Sequence, residues 1–476
     1  MTQASAESFS GRSRRALADP GLRTALGNIQ THLVAGRNRA LGELPEFEAM
    51  RDAAAAIKAH ALGNLDIYLE LFAERVRSAG GAVHWASTAG EANAIITSIC
   101  HATNAKLVVK GKSMVSEEIE LDAHLETAGM RVVETDLGEY IVQLRKDRPS
   151  HIVAPAVHLT RNDYEVAFRS THSNLDPRRD LQTPTALLAE ARAVLRENFM
   201  NADVGITGAN FLVAETGTAV LVTNEGNADL CMTLPRVHIV LASIEKVVPT
   251  LADALTLVRV LARSATGQAC TAYTTFATGA ARPSDLDGPT EFHVVLLDNG
   301  RSKMLQGPQR EMLKCIRCGA CMNHCPVYGA IGGHAYGWVY PGPMGAVLSP
   351  ALDGHNRHRD LPNASTFCGR CDSVCPVKIP LTGLMRHLRE EQVARKLVPR
   401  VPSALMSLWG FVASRPALYR VCARGIGRAL RYLGRRGRIE RLPLASGWTQ
   451  YRDLPVPEHR TFSEQWRARV RGRRES

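Results

Sequence analysis

Seven of the chain's 11 cysteines fall between Cys315 and Cys375, and no other feature limits the fold so sharply. The first group reads Cys315-Ile-Arg-Cys318-Gly-Ala-Cys321-Met-Asn-His-Cys325-Pro326, a C-x2-C-x2-C-x3-C-P run. Three closely spaced thiolates on a tight loop hold three irons of one cubane, and the fourth cysteine points away to a different cluster. Pro326 suits a helix start there, since that position needs no amide donor. Gly319 lets backbone amides approach the cluster sulfides. The second group, Cys368-Gly-Arg-Cys371-Asp-Ser-Val-Cys375-Pro376, repeats the last three cysteines, with Ser365 where the first would stand. The crossed pattern assigns Cys315, Cys318, Cys321 and Cys375 to one cluster. Cys325, Cys368 and Cys371 go to the other, whose fourth ligand is not an obvious cysteine. Ser365, a residue outside the motif, an open iron or a three-iron cluster all satisfy the sequence.

Paired C-x2-C units also build zinc ribbons. Those place a gap between two pairs, whereas here four cysteines crowd into eleven residues and both motifs end in Cys-Pro. Two iron–sulfur clusters, read as 2 × [4Fe-4S], are therefore the expected cofactors. Cubanes on interleaved loops sit within electron-tunnelling reach, so the segment reads as an electron conduit. The scattered Cys100, Cys231, Cys270 and Cys422 are expected to be small buried hydrophobes. No G-x-G-x-x-G occurs, and Lys106 stands where a Walker A motif needs glycine, so nucleotide binding has no support.

Ordinary composition, 45% hydrophobic and 22% charged, excludes a disordered, collagenous or disulfide-miniprotein chain. The net charge of +12 is local: from Arg386 onward, 21 basic residues face 7 acidic ones. A uniformly basic nucleic-acid binder is thereby excluded, and no nucleic-acid module is recognisable. Arg435-Arg436-Gly-Arg438 and the run from Arg467 to Arg474, downstream of Trp409 and Phe411, suit acidic partner surfaces or peripheral contact with anionic lipid. The first residues lack the apolar core of a secretory signal, and no run reaches about 18 apolar residues. The longest, Val401 to Ser414, is followed by Arg415 and Arg420. A cytoplasmic location is expected.

Residues 1–78 read as helical, with Leu62, Leu65, Leu69, Phe72 and Val76 on one face. After Gly80-Gly81, strand and helix signals alternate through 79–307, as in a mostly parallel α/β domain. Strands are expected at Ala82–Ala86, Leu107–Val109, Met130–Val133, Ile141–Leu144, Val237–Ala242 and His293–Leu297. Helices are expected near Glu91–Cys100, Glu117–Ala128, Pro184–Asn198 and Ala252–Ser264. Phe211–Ala214 and Ala219–Thr223 flank a turn. A small α-helical ferredoxin-like domain follows over 308–395, then a basic helical or irregular tail over 396–476. The stretch Gly333 to Ala346 is expected to be an irregular loop over a cluster. Glu215 and Glu225 stand beside glycines and are candidates for acid/base or ligand-binding work. Lys110-Gly-Lys-Ser113 reads as a turn before a helix capped by Ser116.

Lys110-Gly-Lys-Ser-Met-Val-Ser-Glu-Glu118, Ala214-Glu-Thr-Gly-Thr218, Gly333-His-Ala-Tyr-Gly-Trp-Val-Tyr-Pro-Gly-Pro343 and Cys375-Pro-Val-Lys-Ile-Pro380 occur together with the cysteine motifs. In that combination the chain resembles the lactate utilisation protein B family over nearly its whole length. The resemblance implies an iron–sulfur protein passing electrons in the oxidation of L-lactate to pyruvate, alongside two companion proteins and an electron acceptor. It also implies an isomerase/CoA-transferase-like fold for the α/β domain. By position, Cys315, Cys318, Cys321 and Cys375 match the family's first cluster, and Cys325, Cys368 and Cys371 its second. Two other readings stand beside it. In one, the α/β domain oxidises a hydroxy acid itself through Glu215 or Glu225; in the other, the protein is a redox sensor.

Overall fold

A computed structural model describes residues 7–398, 400–442, 449 and 452–472. The chain forms two compact units, Met1–Gln392 and Val393–Ser476.

The first unit is built on six parallel strands: β1 (Ala82–Ala86), β2 (Leu107–Gly111), β3 (Arg131–Glu134), β4 (Val204–Thr207), β7 (Val237–Ser243) and β10 (Glu291–Leu297). Their order is β1-β10-β7-β4-β2-β3, every neighbouring pair parallel. Every residue of β7, Val-His-Ile-Val-Leu-Ala-Ser, is buried, as expected of a parallel strand covered on both faces. On one face Val108, Ile206, Ile239 and Val295 pack with Ile96, Leu121 and Leu125. On the other, Val240, Val294 and Leu296 pack with Leu69 and Phe72. From β2 the chain steps outward to β3, whereas from β4 it steps the other way to β7 and β10. The winding therefore reverses between β2 and β4, where open α/β sheets bind their ligands. A smaller sheet, ordered β8-β5-β6-β9, joins β5 (Phe211–Val213), β6 (Thr218–Thr223), β8 (Val247–Val248) and β9 (Tyr273–Ala277). As expected, β5 and β6 form an antiparallel hairpin.

Several local expectations are corrected. Ile141–Leu144 is not a strand but the end of a helix, Leu137–Leu144. Asp136 caps it by accepting from the Gly138 amide at 2.9 Å, and Leu137, Tyr140, Ile141 and Leu144 follow the three- and four-residue spacing of a helix face. The helix after β2 is capped by Ser113, not Ser116: the Ser113 hydroxyl accepts from the Ser116 amide at 3.1 Å. Glu120, at φ +55°, splits Glu117–Ala128 into two short helices. The stripe from Leu62 to Val76 is buried as expected, but Asn64 interrupts it between helices Phe47–Gly63 and Leu65–Ser78. The segment from Gly333 to Ala346 is not wholly irregular, because helix Gly342–Asp353 begins inside it. Cys100 and Cys231 are buried, but Cys270 is exposed on the loop before β9 and Cys422 is only half-buried.

In the second unit, helices Arg400–Ala413 and Pro416–Leu433 pack together. A short antiparallel pair, Arg438–Ile439 with Leu454–Pro455, and helix Phe462–Gly472 follow. Arg473 and Arg474 of the basic run lie outside the described residues. Among the described residues, no helix is long and apolar enough to cross a membrane.

A cysteine-lined candidate metal centre and the cavity beside it

The two cysteine motifs fold as near-copies. Cys318 precedes Gly319 at φ +73°, which opens the short helix Ala320–Asn323 carrying Cys321. Cys368 precedes Gly369 at φ +74°, which opens Arg370–Val374 carrying Cys371. The residues just before, Arg317 and Phe367, are both left-handed, at φ +59° and +53°. Each is steadied by a cation–aromatic contact: Arg317 lies over Tyr340 at 4.8 Å, and Arg389 over Phe367 at 4.1 Å. Cys325 caps helix Pro326–Ile331, its sulfur accepting from the Tyr328 amide at 3.5 Å. Cys375 likewise accepts from the Ile379 amide at 3.4 Å.

The motifs trade partners in space. Cys315, Cys318, Cys321 and Cys375 line one small apolar cavity, walled by Ile152, Met344 and Val377. Cys325 lies within electrostatic reach of Cys368 and of Cys371. The Ser365 hydroxyl accepts from the Phe367 amide at 3.1 Å, in a local turn. Burial and neighbouring sulfurs push the Cys318 and Cys321 thiols well up, while burial first lifts Cys371 to about 12 and Cys375 to about 11. Bare thiolates are thus unfavourable here, and a cationic metal would offset their charge. Soft sulfur donors, a dry wall and amides aimed at sulfur fit an iron–sulfur cluster.

Two N-terminal arginines grip the second motif from behind. Arg51 donates from Nε and Nη2 to the Cys375 carbonyl at 3.1 and 2.7 Å, and buried Arg37 donates to the Val374 carbonyl at 3.2 Å. Neither carried a sequence signal beyond lying in a helical stretch.

A larger cavity, about 330 Å³, lies at the winding reversal. Lys112 and Ser113 follow β2, Asp136 and Glu139 follow β3, Gly208 and Asn210 follow β4, and Lys246 follows β7. Glu225 lines it too, its carboxylate 3.1 Å from the Lys112 ammonium, which also pairs with Asp136. Glu215 is not among the lining residues; it is exposed and accepts from the Leu251 amide at 3.1 Å, at the first residue of helix Leu251–Ala265. Glu139 has a buried, unpartnered Oε2, and burial beside Asp136 raises its pKa to about 8. Lys246 is only 6% exposed, and its ammonium has no ion pair or hydrogen bond among the described residues. Burial, with Arg317 close by, pushes its pKa down to about 7. Arg317 reaches the same cavity from the cysteine loop; its Nη2 lies 3.3 Å from Glu245, but its Nη1 is buried without a partner. Ile152 contributes to the walls of both cavities. Lys110, by contrast, is fully buried among Glu117, Asp122 and Glu134 at 2.6–2.9 Å, and is structural.

Three family profiles match in succession: an LUD domain over residues 69–297, a 4Fe-4S dicluster domain over 311–379, and the C-terminal region of lactate utilisation protein B over 386–471. A lactate utilization protein B from Shouchella clausii is 43% identical over 97% of both chains. Its namesake from Bacillus licheniformis is 43% identical over 96% of both. The chain belongs to the lactate utilisation protein B family. An Escherichia coli relative, named uncharacterized electron transport protein YkgF, is 42% identical over 95% of each chain. In this family member Arg317 belongs to the dicluster match but lines a cavity of the LUD domain. A solved DUF162 family protein from Deinococcus radiodurans is 17% identical with a TM-score of 0.29 over 49% of this chain, a likeness too loose to bear on the fold.

Proposed function

We propose that this protein is an iron–sulfur electron-transfer subunit in the oxidation of L-lactate to pyruvate, relaying electrons through two clusters. The observation that carries this reading is the crossing of the motifs, with Cys375 facing the cavity of Cys315, Cys318 and Cys321. Those four cysteines would hold the first cluster. Cys325, Cys368 and Cys371 would hold the second, with a fourth ligand from outside the cysteines. When bound, each cluster supplies one-electron transfer.

The chain's own residues set the conditions for that transfer. Ile152, Met344, Val377 and Leu381 keep water from the first centre. Arg317, Lys246 and Lys58 place positive charge within reach of Cys315, which favours taking up an electron. The doubly wound strand order and the cavity at its switch point support the isomerase/CoA-transferase-like reading of the α/β domain. In the second unit, Leu405, Met406, Leu408, Trp409 and Phe411 are exposed, and Arg415 lies over the Phe411 ring at 3.6 Å. That surface suits a companion lactate-utilisation protein.

The test is anaerobic purification with iron and sulfide counting, then EPR of the dithionite-reduced chain and of the lactate-reduced complex. About eight irons per chain are expected, or about seven with one three-iron centre. A colourless protein with stoichiometric zinc overturns the reading, as do clusters that stay oxidised when the whole complex receives lactate.

A further inference from the structure

Away from both cavities, Asp147, His158 and His334 converge where the loop after helix Leu137–Leu144 meets the cysteine segment. One ligand atom from each lies within 4.8 Å of the other two. The His158 Nε2 is 3.1 Å from Asp147 Oδ2, and the His334 Nε2 is 3.7 Å from Asp147 Oδ1. A tetrahedral zinc ion, with bonds of about 2.0–2.1 Å, spaces its ligand atoms about 3.4 Å apart. The two observed separations fall on either side of that spacing.

Hydrogen bonds behind the rings prepare them for an ion. Ser150 donates its hydroxyl hydrogen to the Pro155 carbonyl at 3.3 Å, so its oxygen accepts from His158 Nδ1 at 2.7 Å. A neutral imidazole held this way turns a bare Nε2 toward a carboxylate, and the two repel until a cation fills the gap. A proton does this for one ring but not for both, because two imidazolium rings with centroids 4.4 Å apart repel each other. One divalent ion satisfies both nitrogens and the carboxylate together. His334 donates from Nε2 to the Arg148 carbonyl at 2.7 Å, and a metal ion would displace that proton. Two nitrogens and one oxygen suit zinc and its transition-metal neighbours better than magnesium or calcium. The Asp147 and His334 side chains are 35% and 40% exposed, so an ion can enter and keep water as a further ligand.

We propose that Asp147, His158 and His334 form a binding site for a divalent transition-metal ion of the zinc class, separate from the cysteine centres. Asp147 and His158 belong to the LUD match and His334 to the dicluster match, so the ion staples one region to the other. Its attachment on the cysteine side is the turn His334–Tyr336, directly after Gly333, which already packs on the Ser150 carbonyl.

The full-length chain, purified anaerobically and loaded with iron, is titrated with zinc sulfate by calorimetry, and its zinc K-edge absorption is recorded. About one zinc per chain should bind with release of protons, raise the unfolding midpoint and leave the iron content unchanged. Nitrogen and oxygen should surround it at about 2.0–2.1 Å, with no sulfur at about 2.3 Å. Asp147→Asn, His158→Ala and His334→Ala should each weaken binding at least about tenfold and lose the zinc-dependent rise in midpoint. Asp147→Asn keeps the shape of the side chain, so it decides if the alanine variants do not fold. Ser150→Ala, which leaves all three ligands but frees the His158 ring, should weaken binding by about tenfold. A chain that holds no iron is judged by difference, since only the zinc lost in Asp147→Asn belongs to this site. The proposal falls if no zinc binds, if sulfur surrounds the zinc of the iron-loaded chain, or if Asp147→Asn and His334→Ala bind zinc as the parent does.

Discussion

Glu118 and Arg301 meet in a bidentate ion pair with no solvent exposure, Nη1 to Oε1 at 2.9 Å and Nη2 to Oε2 at 2.7 Å. Tyr340 and Asn299 donate to the same carboxylate at 2.5 and 2.7 Å. The Arg301 Nε lies 2.9 Å from Glu245, which also faces Arg317. Glu118 follows β2, Arg301 follows β10, and Tyr340 and Arg317 belong to the cysteine segment, so one buried network ties the sheet to the metal-binding loops. Removing one member strands the others. Arg301→Met should destabilise the first unit by about 3–5 kcal/mol. Arg301→Met with Glu118→Leu should recover part of that loss in chemical denaturation.

Exchange of cysteines tests the crossing directly. Cys375→Ser and Cys321→Ser should remove the same EPR signal and about four irons each, by Cys₄ ligation. Cys371→Ser should remove the other signal. Loss of the second signal on Cys375→Ser would mean that the motifs do not exchange partners.

Arg51 acts on the same centre through the chain. Arg51→Met deletes two charged hydrogen bonds to the Cys375 carbonyl and a positive charge near its sulfur. The reduction potential of the centre carrying Cys375 should fall, because the added electron loses a favourable field. Stability should drop by about 1.5–3 kcal/mol. An EPR-monitored redox titration, with Arg51→Lys as the intermediate case, checks both sign and geometry.

Acid should act through His238. It is 1% exposed near the start of β7, its Nε2 2.8 Å from the Thr207 hydroxyl, and burial pushes its pKa down to about 3. An unfolded chain protonates this imidazole near its ordinary value of about 6.5. Between those two values the unfolded state binds the extra proton, so stability falls as pH drops from about 6.5 toward 3. The slope is on the order of 1 kcal/mol per pH unit. His238→Gln, which can still bond Thr207, should flatten this part of the stability profile measured by denaturant unfolding.

Gly333 marks where the loop around Ser150 docks on the cysteine segment. The Tyr328 hydroxyl donates to the Ser150 carbonyl at 2.7 Å, and a Cβ on Gly333 would lie 1.8 Å from that same oxygen. Gly333→Ala should cost about 3 kcal/mol or more, visible as a lower unfolding midpoint together with poorer iron retention.

Much of this was readable before any coordinates. The cysteine chemistry is local, since spacing within eleven residues and a following proline constrain the loop by themselves. Buried strands such as β7 announce themselves as mostly apolar runs, here interrupted by His238 and closed by Ser243. The short, mostly apolar segment Ile141-Val-Gln-Leu144 suits strand and helix alike, and the Asp136 cap on Leu137–Leu144 decides between them. The larger cavity was nearly invisible. Lys112, Glu139, Lys246 and Arg317 come from four separated segments, and only tertiary structure brings them to one space. Glu215 and Glu225 share a glycine close by in sequence, but of the two only Glu225 lines the cavity. Two further signals stand in the sequence: Glu245-Lys246 two residues beyond the mostly apolar strand β7, and an arginine inside a cysteine motif.

The clasp of Arg51 on the Cys375 carbonyl spans 324 positions of chain. Ribosomal synthesis runs from the amino end, so the arginine emerges long before the carbonyl that it holds. Any metal held jointly by Cys315, Cys318, Cys321 and Cys375 would consequently be enclosed late, after translation has passed residue 375. Products stalled before residue 375 would carry the arginine with nothing to close on.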